Sequence, residues 1–271
     1  MKITFLGTGG SAGSPQIGGA DGFGEWGKLD PAEPRNRRNR ASIVIQTTDH
    51  NTLLVDTGPD LRLQLTQHGI GRIDAVLYTH SHADHIAGLD EIRILNRILA
   101  APMPTYADAA TWAQLRQRFE YAFKPFAGGF FSRPVLEPHV LEPAKSFDIL
   151  GLKVEIFTQD HGFSHSLGLR IGDFAYCTDV VNLDEAALAA LERLDVFVVD
   201  CFTPGPKHPT HADLAQVYAW VDRLKPRRTI LTHLGPEMDY RRLVETLPPG
   251  IEPGYDGLVL DLAAMAASGR R

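Results

Sequence analysis

The residues able to do chemistry are concentrated in Thr79-His80-Ser81-His82-Ala83-Asp84-His85, where three imidazoles and a carboxylate fall within six positions. They directly follow the apolar run Ala75-Val76-Leu77-Tyr78, and a run of that length reads as a buried strand that opens at the cluster. Side chains alternate along extended backbone, so His80 and His82 point to one side, whereas the neighbours Asp84 and His85 diverge once the chain turns. One pair can then grip one metal ion while the other pair reaches a second. Imidazole together with carboxylate suits borderline divalent ions such as zinc, manganese or iron. Four ligand-type side chains at a strand end are unfavourable without a counter-charge, so the spacing predicts a dinuclear site for two divalent ions, zinc or manganese.

The elements that must position such a site recur along the chain. Lys2 to Leu6 reads as a first strand ending in Gly7-Thr8-Gly9-Gly10. That glycine string superficially matches a dinucleotide fingerprint, but the motif requires a helix at once, and a long Gly/Pro loop follows instead. Ser42 to Gln46 and Thr52 to Val55 read as a strand pair delivering Asp56, a nearly buried carboxylate that needs a partner behind the metal cluster. Asp60 to His68 has helical periodicity, and Asp84 to Leu99 reads as one amphipathic helix through Ile86, Leu89, Ile92, Leu95, Ile98 and Leu99. A short strand and a helix are expected between Thr105 and Phe119.

The rhythm resumes from Leu152. Val154 to Phe157 delivers Asp160-His161, Asp173 to Cys177 delivers Thr178-Asp179, Leu194 to Val199 ends at Asp200-Cys201, and Arg228 to Leu231 delivers Thr232-His233. Apolar strands that repeatedly end in ligand-type residues bring those residues to one sheet edge. Ala212 to Leu224 reads as a helix with Thr210 as its cap.

Composition narrows the function classes. The 271 residues are 44% hydrophobic, enough to bury a large core, and the net charge of −6 gives no global basic field to recruit nucleic acid. Two cysteines, Cys177 and Cys201, are too few for a disulfide framework or a cysteine zinc site. No signal-peptide stretch and no membrane-length apolar run occurs, so a cytoplasmic protein without membrane contact is expected. Four arginines within 35–40 read as a solvated basic loop or, alternatively, as a rim facing an anion. The aromatic segment 119–131 fits either a satellite core under a loop, or a lid or oligomer contact.

His80-Ser-His82-Ala-Asp84-His85 with the later His161, Asp179 and His233 resembles the metallo-β-lactamase superfamily, and the likeness spans almost the whole chain, including Leu53-Leu54-Val55-Asp56. The resemblance implies an α/β fold, a four-layer αββα sandwich of two similar halves, here a single domain over 1–271. It also implies His80, His82 and His161 on one metal, Asp84, His85 and His233 on the other, and Asp179 bridging. Within the superfamily the chain looks most like the phosphodiesterases that open phosphoribosyl 1,2-cyclic phosphate. The matching pieces are Gly7-Thr-Gly-Gly10, Thr210-His211-Ala-Asp213-Leu214, Ile230-Leu-Thr-His233 and Tyr255-Asp256-Gly257. That branch carries a cysteine-held structural zinc after its first strand, and this chain has no cysteine there. Ribonuclease Z enzymes share the opening Phe5-Leu-Gly-Thr-Gly9 and the metal motif but add a tRNA-gripping arm that is not evident here.

A water between two divalent ions loses a proton near neutral pH, and the resemblance makes it the nucleophile. Asp84 would bind metal and orient it, and His211 would contact the substrate phosphate and protonate the leaving oxygen. His208 and His165 rival His211 for that role. His165 follows His161 by four residues, so it is a substrate contact or an exchange partner for His161, which is preferred as ligand because it directly follows the strand end. His50, His68, His139 and His208 are expected to face solvent. The expected partner is a small phosphate ester, cyclic or nucleotide-like; nucleic acid is disfavoured and a homodimer is allowed. A ribonuclease Z-like nuclease and a hydrolase of non-phosphate esters or thioesters are the alternatives.

Overall fold

In the strand Ser42–Gln46, Ile43 and Ile45 face one way and Val44 the other, and all three are buried, so the sheet containing them must be covered on both sides. The same holds for Leu53, Leu54 and Val55 in the next strand. The computed structural model describes residues 1–268, and among them fourteen strands form two seven-stranded sheets. One sheet orders β14 (Val259–Asp261), β1 (Lys2–Gly7), β2 (Ser42–Gln46), β3 (Thr52–Val55), β4 (Ala75–Leu77), β5 (Met103–Asp108) and β6 (Leu136–Leu141). The other orders β13 (Ile251–Pro253), β12 (Arg228–Thr232), β11 (Val196–Asp200), β10 (Phe174–Cys177), β9 (His165–Ile171), β8 (Leu152–Asp160) and β7 (Ser146–Ile149). Both are mixed: β3 to β6 and β10 to β13 run parallel, and the remaining pairs are antiparallel.

Three apolar clusters define four layers. Phe5, Ile43, Val55 and Leu77 meet Ile156, Leu169, Tyr176 and Ile230 between the sheets. Val44, Leu54 and Val76 lie under α1 (Leu61–Gln67), α3 (Ile92–Leu99) and α4 (Ala109–Arg118), following the short α2 (Ala83–Ile86). Phe197 and Val199 lie under α5 (Glu185–Ala190), α6 (Leu214–Leu224) and α7 (Tyr240–Thr246), and α8 (Leu262–Ser268) closes the described chain. This is the expected αββα sandwich. Among the described residues no helix is long and apolar enough to cross a membrane.

Several local expectations need correction. The helix expected over 84–99 is broken into α2, a 3-10 turn at Leu89–Glu91 and α3, and Ile98 is exposed rather than in the core. The break falls at Gly88, whose backbone lies so close to Gly58 that a Cβ would stand 2.1 Å from the Gly58 carbonyl oxygen. α6 is capped by Asp213 in a capping box with Gln216, not by Thr210. The four arginines do not form a free rim. Arg35 pairs with Glu33 and covers Tyr240, Arg37 covers Trp26, Arg38 is buried on the Met238 carbonyl, and Arg40 bonds Asp60. In the aromatic segment Phe123 meets Trp112 of α4 edge-on and Phe131 is buried, so it is a satellite of the outer core. His50 is exposed as expected, but His139 stacks on Tyr106, His68 is half-buried, and His208 lies against Phe202.

Candidate metal centre

Parallel strands place their C-terminal ends side by side, and those ends carry the polar residues here. Asp56 follows β3, Thr79-His80 lie just past β4, Asp108 ends β5, Asp179 lies just past β10, Asp200 ends β11 and His233 follows β12. His82 caps α2, which carries Asp84 and His85 in its single turn, and His161 sits in the tight turn between β8 and β9. Asp56, Asp179 and His233 adopt left-handed backbone, with φ of 66°, 53° and 53°. Asp and His are among the side chains that tolerate this region best, and each φ swings a side chain off its strand toward the common edge.

Hydrogen bonds fix which ring nitrogen faces inward. The His161 Nδ1 is 2.7 Å from the Thr210 carbonyl, which can only accept, so Nδ1 carries the hydrogen and Nε2 presents a lone pair. Asp56 plays the same part for His85, at 2.7 Å from its Nδ1. Asp56 also accepts from the Thr79 amide and hydroxyl, both at 2.8 Å. Three donors converging on it are the pattern of an ionised carboxylate, although burial pushes its pKa up. The Thr79 hydroxyl, having donated to Asp56, accepts from His80 Nδ1 at 3.0 Å and leaves that Nε2 bare.

Two donor sets result: His80, His82 and His161, and Asp84, His85, Asp179 and His233, each with ligand atoms within 4.8 Å of one another. Asp179 lies between them, with Oδ1 3.6 Å from His80 Nε2 and 2.6 Å from His85 Nε2, and Oδ2 2.9 Å from His233 Nε2. Despite these approaches, His80 Nε2, His85 Nε2, His233 Nε2 and both Asp179 oxygens are buried without a hydrogen bond. Bare lone pairs facing one another in the interior repel unless a cation lies between them, so the donors fit divalent metal. Electrostatics agree. Burial depresses the pKa of His80, His82 and His161, which keeps them neutral and able to ligate. Burial also opposes charge on His85 and His233, but Asp179 and its neighbouring carboxylates outweigh it, driving His85 well up and His233 to about 10. Those carboxylates thus attract positive charge strongly, as protons or as metal.

His211 stands beside this cluster. Its Nδ1 is 2.7 Å from Asp200 Oδ2, and its ring stacks on His233 at 4.5 Å and on Phe202 at 5.1 Å. Phe202 reaches that position because residue 10 is glycine: a Cβ there would meet the ring at 2.7 Å. Asp179, Asp200, His211 and His233 form a third close group, but the Asp200 bond already occupies the inner nitrogen of His211. His165 is half-exposed, with Nε2 2.7 Å from Asp108 Oδ2.

Residues 51–234, from just before β3 to the end of the donor series, match the family described as the beta-lactamase superfamily domain. The chain belongs to this superfamily. Its PhnP branch is included: a diphosphatase from the PhnP family is 33% identical, with a TM-score of 0.84 and coverage of 96% of this chain and 97% of that one. Zinc-bound PqqB from Methylobacterium extorquens shares the fold at a TM-score of 0.75 and 19% identity, over 96% of this chain and all of that one. An octanoyltransferase from Porphyromonas gingivalis is 31% identical over 264 residues, 95% of this chain. The chain spans about half the length of that protein, 51%.

Seen as a superfamily member, the chain brings His80, His82, Asp84, His85, His161, Asp179 and His233 together at one edge of its two sheets, with His211 adjoining them and His165 at the rim. Two supporting carboxylates had no role assigned from sequence, Asp108 and Asp200. The signal for Asp200 was present, since Val196-Phe197-Val198-Val199 runs straight into it as Leu53-Leu54-Val55 runs into Asp56. Asp108 is harder to see, because β5 begins with Met103-Pro104 and is less continuously apolar.

Proposed function

We propose that the chain is a phosphodiesterase for small cyclic or nucleotide-like phosphate esters, with two divalent ions held by His80, His82 and His161 and by Asp84, His85 and His233, and with Asp179 shared between them. The observation that carries the reading is His211: an imidazole beside the donor cluster, oriented by a buried carboxylate, with Nε2 left free. Bound divalent ions supply Lewis acidity toward phosphoryl oxygens and a more acidic water. The protein's own part is positional. Asp56 and Thr79 hold His85 and His80 in the ligating tautomer. Asp200 keeps the His211 hydrogen on Nδ1, so a proton acquired at Nε2 is the one delivered to the departing oxygen. Phe202 and His233 both pack against the ring and help to fix its plane.

A small substrate is favoured over RNA because Arg35, Arg38 and Arg40 are engaged within the fold rather than lining a groove. The likeness to an octanoyltransferase keeps ester or thioester hydrolysis as a second reading, and a thioester assay run beside the phosphodiester assay decides between them. For the first reading, His211→Ala should leave metal content intact and slow alkyl phosphodiesters about 10²–10⁴-fold, with far less effect on bis-nitrophenyl phosphate, whose leaving group needs no proton. Equal losses on the two substrates would remove the proton-donor role.

A further inference from the structure

Asp256 lies between β13 and β14, outside the matched residues 51–234. Both of its carboxylate oxygens are engaged. Oδ1 accepts from the Thr8 amide and hydroxyl, each at 2.9 Å, and Oδ2 accepts from the Asn39 amide at 2.7 Å. We propose that Asp256 is a positioning residue of the metal centre: by fixing Thr8 it holds the backbone of His233 in its ligating conformation. This rests on the two-ion part of the reading above.

The path from carboxylate to ligand is short. The Thr8 carbonyl accepts from the amide of Leu234, the residue after His233, at 2.8 Å. The Gly10 amide donates back to the Leu234 carbonyl at 3.2 Å, so segment 8–10 engages both backbone groups of Leu234. The same segment lies against the ligand ring, since a Cβ on Gly10 would stand 3.5 Å from His233 Cε1. His233 needs such bracing, because a histidine keeps a φ of 53° only where its surroundings impose it. Asp179 has the same φ and a more direct version of the same brace, as the following amide, Val180, bonds the Asp200 carboxylate at 3.0 Å. At His233 the following amide meets a carbonyl, and the carboxylate stands one residue behind it. Thr8 depends on that carboxylate because the register of β1 on β2 shifts between Phe5 and Gly7, just before it. Asp256 also has a firm base. The Gly257 amide bonds the Phe5 carbonyl at 2.8 Å, and the Gly254 amide bonds the Leu231 carbonyl at 2.8 Å, two residues before His233. The loop therefore spans from one sheet to the other beside the ligand that it steadies.

The test compares the full-length parent with Asp256→Ala, Asp256→Asn, His233→Ala and the Asp256→Ala/His233→Ala double variant, with zinc as the probe. Competition against a chromophoric chelator should resolve two zinc ions in the parent. Asp256→Ala should weaken the ion that His233→Ala loses by about tenfold, the size expected when a group that orients a ligand is removed. The other ion should change less than threefold, and in the His233→Ala background Asp256→Ala should leave the remaining ion within about twofold. Equal weakening of both ions, or no change in either, overturns the proposal. Amide exchange in the metal-free protein supplies a readout independent of zinc. Asparagine has a single oxygen and cannot accept from both Thr8 and Asn39, so both substitutions at 256 should loosen the clamp. The Leu234 amide should then exchange at least tenfold faster than in the parent, while the Thr79 amide, bonded to Asp56, stays within about twofold. Equal acceleration at the two amides marks general loosening and overturns the positioning role, as does no acceleration at Leu234. If the alanine variant does not fold, Asp256→Asn carries both measurements, with at least a threefold weakening expected for the same ion alone. If the parent binds fewer than two zinc ions the two-ion reading falls instead, and the amide pair still decides Asp256.

Discussion

Asp200→Asn separates charge from geometry at the proposed proton donor. Asp200 Oδ2 accepts from His211 Nδ1 at 2.7 Å and from the Val180 amide at 3.0 Å. An asparagine can satisfy both donors only by placing its oxygen where Oδ2 stands, and the Val180 amide enforces that rotamer. The tautomer of His211 is then preserved and only the ionic component of the bond is lost. A hydrogen bond to a charged group is worth about 1.5–3 kcal/mol against about 0.5–1.5 for a neutral one, so the difference is roughly 1–1.5 kcal/mol, or about tenfold in rate. Turnover of an alkyl phosphodiester should therefore fall about tenfold, with bis-nitrophenyl phosphate nearly unaffected and metal content by elemental analysis unchanged. Loss of metal would make Asp200 a ligand, as its place in the third close donor group allows, and would refute the positioning role. A thousandfold loss would show instead that the amide flips and the tautomer is reversed.

Asp179→Ala should be the most damaging ligand change, because Asp179 contacts His80, His85 and His233 at once; elemental analysis should give two ions per chain in the parent and fewer in the variant. Gly88→Ala should lower stability by about 1–3 kcal/mol in urea unfolding, since its Cβ would meet a backbone oxygen that cannot move aside; an unchanged midpoint would mean that the α2–α3 corner is soft. Glu33, bonded by Arg35 and Arg241, has its pKa lowered from 4.5 to about 2, chiefly by the Arg35 hydrogen bond. Its contribution is thus present above about pH 4.5 and lost as pH falls toward 2, so the stability gap between parent and Glu33→Gln should be full at pH 7 and shrink below pH 4. A gap that grows on acidification would reverse the sign of that linkage.

The layers and the donor series were legible in the sequence for one reason: strands buried on both faces are continuously apolar, so a polar residue at their end stands out. Asp56, His80, Asp179 and His233 all announce themselves in this way. What was not legible depends on contacts between distant segments. Nothing near Gly88 signals that Gly58 will press against it, so local periodicity carries a helix straight through the break. β9 escaped notice because Gly168 interrupts its apolar pattern and reads as a turn, yet that strand carries His165 to the rim. Thr210 looked like a helix cap, and only the fold shows Asp213 in that place and the Thr210 carbonyl turned onto His161. The arginines of 35–40 looked solvated because their partners Tyr240, Met238 and Asp60 lie far off in sequence.

The left-handed backbone at Asp56, Asp179 and His233 bears on how this protein would respond to selection for heat tolerance. Glycine relieves such a conformation, so at these three positions a library screened only for survival of the fold should enrich glycine, and asparagine at the two aspartates. Each winner would lose a group on which the cluster depends. Thermostability and turnover should then anticorrelate at residues 56, 179 and 233 while varying independently across most of the surface, and a consensus drawn from such survivors would be a sturdier protein with an empty edge.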